Sequence, residues 1–94
     1  MTRIQYLDRL YGEGFRFKLL WQAQQTSHSG IEGNASGYAI YGSDGTLLTS
    51  IVMYEYDRDG LAVFFCAETN SVDDDITRLK DIAAARAVEV ETHG

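Results

Sequence analysis

Proline is absent from the 94 residues and cysteine occurs once. Turns therefore have to rest on glycine, aspartate and asparagine. The lone Cys66 excludes an intramolecular disulfide and fits a reducing compartment. Met1–Gln5 lacks an apolar signal core, and no apolar run approaches the length that spans a bilayer. These absences lead to the expectation of a cytoplasmic protein with no membrane association. Basic residues are also scarce: 8 Lys and Arg stand against 14 Asp and Glu, a net charge of −6. Residues 31–75 carry nine acids against Arg58 alone. The middle of the chain should repel phosphate, which argues against direct nucleic-acid binding.

Catalytic and metal-binding patterns are missing as well. The two histidines, His28 in Ser27-His28-Ser29 and His93 near the end, have no positioned nucleophile and orienting group beside them. No cysteine and histidine spacing suits a metal. Asp57-Arg58-Asp59-Gly60 lacks the further ligands of a calcium loop and reads as a hairpin turn. Gly12-Glu13-Gly14 follows no strand and carries no lysine, so it is not a phosphate loop. The expectation is a protein without cofactors that is not an enzyme.

What is present is a packable chain. With 45% hydrophobic residues it forms one domain over residues 1–94. Thr2 and Gln5 make a capping-box pattern, and Ile4, Leu7, Leu10 and Tyr11 recur at helical spacing, giving a helix that stops at Gly12. Phe15–Gln24 alternates, with Phe15, Phe17, Leu19, Trp21 and Ala23 on one face and only Leu20 spoiling the polar face. Thr26–Ser36 reads as a loop of eleven residues, Gly37–Tyr41 as a short strand, and Gly42–Gly45 as a turn. The strongest signal is a hairpin over Thr46–Ala67 turning at residues 57–60. Ser71 then caps a helix that opens with three acids and runs to about Ala87. The fold expected is a two-layer α+β domain, a four-stranded antiparallel meander with an N-terminal and a C-terminal helix in the order α-β-β-β-β-α.

The hairpin fixes which residues share a face. Leu48, Val52, Tyr54 and Tyr56 fall on one side, and Leu47, Ile51 and Met53 on the other. Both sides are apolar, so either a helix covers each face, or the sheet curls over itself, or one face is an interface for a homodimer or a target. The meander also places Asp44, Glu68, Asp73, Asp74 and Asp75 along one rim. The order invites comparison with double-stranded-RNA-binding domains, but those grip phosphate with a basic opening of the final helix. Here that position holds three aspartates.

The function expected is a small acidic inhibitor that binds a larger protein and occludes a basic, nucleic-acid-binding type of surface. Phage anti-defence proteins, anti-CRISPR proteins among them, and immunity proteins share this character as an analogy of type, without a sequence match. The partner-binding residues would be Asp44, Glu68, Asp73, Asp74, Asp75, Tyr54 and Tyr56, and reversing the three consecutive aspartates should abolish capture with the fold intact. The alternative is a homodimeric structural or assembly subunit. A weaker one is a small-ligand or enzyme domain using the 26–36 loop.

Overall fold

A computed structural model describes residues 2–26, 30–58, 61–66 and 71–93, except for the side chains of 57–58, 61–66 and 89–93. Helix α1 spans Arg3–Gly12, followed by strands β1 (Arg16–Thr26), β2 (Glu32–Tyr41), β3 (Leu47–Arg58) and β4 (Leu61–Cys66), then helix α2 (Val72–His93). The strands are antiparallel neighbours in the order β1-β2-β3-β4.

The four-stranded meander expected from the sequence needs correcting. The sheet that carries the domain is three-stranded, β1-β2-β3, set between the helices as α-β-β-β-α. The three long strands hold 11, 10 and 12 residues. β4 adds only six residues at the edge, paired with Met53–Arg58 in the outer half of β3. The class is still α+β. Two other boundaries move. The loop expected over Thr26–Ser36 shrinks, because Glu32–Ser36 pair with both neighbours and join β2. Helix α2 does not end near Ala87 but continues to His93.

α1 begins as its sequence dictates. The Gln5 backbone N–H donates to Thr2 Oγ1, and the Thr2 backbone N–H donates to Gln5 Oε1, which completes the capping box. The helix ends at Gly12, as its sequence suggests, but the left-handed residue that closes it lies two positions further on. Glu13 is the cap and Gly14 takes the left-handed conformation at φ +94°. The Phe15 N–H then donates to Leu10 C=O and the Gly14 N–H to Tyr11 C=O, the paired bonds of a Schellman end. This reversal delivers Phe15 into the core beside Leu10.

Both helices pack on the same side of the sheet. Tyr6, Leu7 and Leu10 of α1 and Ile76 and Leu79 of α2 form one cluster with Tyr38, Ile40, Leu48, Ile51 and Met53. Within it the Tyr6 hydroxyl donates to Asp75 Oδ2 at 2.7 Å, joining the helices through a carboxylate with no exposed surface. Arg3 ties the start of α1 to the sheet, donating to the Tyr38 hydroxyl at 2.7 Å with its Nε 3.1 Å from Glu55 Oε1. Both helices run toward the β2–β3 turn. The far half of the β1–β2 pair extends past them, and the molecule measures 52 × 21 × 18 Å.

Candidate functional site

Two β-bulges decide which residues the sheet shows to solvent. In β1 the register steps from Leu19↔Tyr38 to Trp21↔Gly37, leaving Leu20 unpaired. One extra residue reverses the alternation beyond it. Phe15 and Phe17 therefore face the helices, whereas Trp21 and Ala23 lie on the opposite side, not on one face with them as the unbroken alternation suggests. In β3 the register steps from Thr49↔Ile40 to Leu47↔Tyr41, leaving Leu48 unpaired. Leu48 turns into the core with Ile51 and Met53, while Leu47 is left 53% exposed. The face grouping of Leu48 with Val52, Tyr54 and Tyr56 is corrected accordingly.

Among the described residues, no helix covers the second face of β1-β2-β3. Aromatic rings pave it instead. Trp21 is the cross-strand partner of Gly37, and a Cβ on Gly37 would lie within 2.1 Å of the indole Nε1. Tyr56 is the partner of Gly33 and is folded over it in the same way, its Cδ1 2.7 Å from where a Cβ would be. Tyr54 and Tyr56 stack with centroids 6.5 Å apart and rings 6° from parallel. Ala35 and Ala39 lie on this face and are buried although no described helix packs above them. Trp21 is nevertheless 45% exposed, and Val52, Tyr54 and Tyr56 are half-buried. The result is a smooth apolar surface whose rings are held by close contact with glycine backbone.

The charge on this face is distinctive. The only charged residues whose described side chains the register places there are Arg16 and Lys18, near one end of β1. The Arg16 guanidinium is drawn over the Tyr11 ring at 4.4 Å. The described acids lie in the helices, in the α1–β1 connection, in the β2–β3 turn, or on the helix side of the strands.

The residues singled out as an acidic rim are accordingly separated. Asp44 sits in the β2–β3 turn beside a cleft of about 370 Å³ that is lined in part by Thr46, Leu48, Ala83 and Arg86. The start of α2 is instead beside α1, where Asp73 pairs with Arg9 and Asp75 bonds Tyr6. Asp73 and Asp74 are exposed, and Ser71 Oγ accepts the Asp74 N–H at 3.3 Å as a cap. Asp75 is buried, so the expectation that all three aspartates can be reversed with the fold intact is corrected: helical spacing turns the third one inward. Glu68 lies outside the described residues. Tyr54 and Tyr56 do share a surface, but it is the helix-free face, away from Asp73–Asp75. Trp21 is the site residue that sequence reasoning placed on the wrong side. The unpaired Leu20, the one apolar residue on a polar face, was the signal that could have corrected it.

The cleft lies at the other end of the sheet from residues 26–36, where the small-ligand reading places a pocket. No group of three or more metal-ligating side chains occurs among the described residues, and no helix among them is long and apolar enough to cross a membrane.

Asp44 gives a measurable handle on the turn. The Thr46 backbone N–H donates to its Oδ1 at 2.9 Å, and this bond, joined by the Thr46 hydroxyl, holds the carboxyl below its ordinary value of 3.8. A depressed folded-state pKa means that the contribution is present above the unfolded value and is lost as pH falls through the folded one. A carboxyl-detected NMR titration should therefore place the Asp44 midpoint below 3.8 and show the turn amides shifting with it. A midpoint at or above that value would mean that the carboxylate does not hold the turn.

No family model matches the chain, and neither a curated protein nor a solved structure matches it significantly.

Proposed function

We propose that this chain is a non-enzymatic protein-binding module that acts by occlusion, using the helix-free face of its sheet as the contact surface. The observation that carries the reading is the paved face itself: Trp21, Val52, Tyr54 and Tyr56 offer apolar area on a rigid strand framework. Aromatic residues with a polar tip are enriched at protein interfaces and dominate their energetics. Their pinning over Gly33 and Gly37 lowers the side-chain entropy lost on docking.

A second reading keeps the basic partner. Asp8, Asp73, Asp74 and Asp81 are exposed on the helices, and the net charge of −6 would steer the chain toward a cationic surface. The readings separate in a capture experiment with an immobilised chain and host lysate. Val52→Lys with Tyr54→Lys should abolish capture, whereas Asp74→Lys with Asp81→Lys should retain it. The reverse pattern would transfer the contact to the helix side, and capture undiminished by either pair would sink both surfaces.

A further inference from the structure

We propose that the helix-free face is covered by the same face of a second copy of this chain, giving a symmetric sandwich with the helices outermost. This rests on the reading of that face as a docking surface and names its occupant.

Charge selects the occupant. Two molecules of net charge −6 repel wherever their acids meet. The helix-free face is the broad surface of the described structure on which the register places no described acid. Two copies meeting there keep Asp8, Asp73, Asp74 and Asp81 on the two outer layers, far from each other. A cationic partner surface would find no carboxylate on this face to answer it. A strongly acidic partner would be opposed by the whole molecule, with only Arg16 and Lys18 in its favour. An apolar surface of the same composition meets neither objection.

Area and geometry agree. Strands of 11, 10, 12 and 6 residues, about 4.8 Å apart and rising about 3.3 Å per residue, give a flat footprint of about 620 Å². Two copies in full overlap bury about 1,200 Å², above the roughly 1,000 Å² that a specific interface requires. Twisted antiparallel sheets pack face to face with their strands about 30° apart. The rings lie close over glycine, and the exposed Arg16 and Lys18 stand near one end of β1, so the rest of the face is left open to that approach. A two-fold axis makes the contact self-complementary and closed, so assembly stops at two copies.

The test is the mass of the full chain in solution, by light scattering across roughly nanomolar to 100 μM concentrations (the range over which weak to tight pairs dissociate). The wild type should approach twice its 10.5 kDa mass, with Trp21 emission moving to shorter wavelength as the copies associate. Val52→Lys places a cation on the face of both copies at once and should weaken association on the order of 100-fold. Trp21→Lys should do the same, so the result does not hang on one variant's folding, which far-UV circular dichroism checks. Asp74→Lys should leave the dimer unchanged. A strict monomer at the highest concentration would overturn the inference, as would a dimer indifferent to both face variants. A monomer whose capture of another protein is still lost with Val52→Lys would overturn the second copy while leaving the protein-binding reading standing.

Discussion

Asp75→Lys is expected to unfold the domain at room temperature, while Asp74→Lys leaves it folded. The two residues are adjacent and carry the same charge, but Asp75 has no exposed surface and accepts the Tyr6 hydroxyl at 2.7 Å. Lysine there loses that bond, at a cost of about 1–3 kcal/mol for a buried polar group. It also buries a cation at a cost of several kcal/mol more. A domain of this size has about 5–15 kcal/mol in total, so the two losses together consume most of it. Asp74 is exposed, and its reversal disturbs only the favourable end of the helix dipole, about 0.3–1 kcal/mol. Asp75→Asn keeps an acceptor for Tyr6 and should lie between the two. Urea denaturation followed by far-UV circular dichroism gives the ranking. An Asp75→Lys midpoint equal to wild type would remove the carboxylate from the core.

Gly37→Ala, the smallest substitution available at that position, should cost about 1–3 kcal/mol, the range for inserting atoms where there is no space. The added methyl would sit within 2.1 Å of the Trp21 ring, so the indole must lift off the strand. Trp21 is the only tryptophan, and its emission reports the movement directly. The variant should emit at longer wavelength, with the helix side undisturbed. Unchanged emission together with unchanged stability would mean that the ring does not rest on the glycine. In the ordinary strand interior, by contrast, replacing glycine with alanine is favourable by roughly 0.5–1 kcal/mol, so even the sign of the effect tests the paving.

Local signals written in a few neighbouring residues were readable without a structure. The capping box of Thr2 and Gln5, the Ser71 cap and the hairpin pairing of Arg58 with Leu61 are all made by residues close in sequence. What could not be read was phase. Leu20 interrupts the polar face without showing which residue is one too many, and Leu48 looks like an ordinary strand residue; the pairing of the neighbouring strand decides both. Everything beyond a bulge changes sides, so Trp21 and Leu48 were placed on the wrong faces. The β2 strand was cut short for a related reason. Gly33, Asn34 and Ser36 have low strand propensity, but the ladders on both sides outweigh it. A meander puts successive turns at opposite ends of the sheet, which gathers the acids on one rim only when its last strand returns the whole way. Because β4 stops opposite Met53, α2 starts beside the middle of α1, and Asp44 is left by itself at the turn.

The bulge at Leu20 lets the pairing of one residue decide the surface. Deleting Leu20 would join Leu19 and Trp21 in strict alternation and leave Trp21 opposite Gly37, so the paved face should survive the loss. Drawing Leu20 into the ladder opposite Gly37 would instead carry Trp21 and Ala23 to the helix side and Gln22 and Gln24 onto the paved face. A one-residue deletion here should therefore be tolerated better than a one-residue slip, and the open surface keeps its phase because one leucine stays out of the ladder.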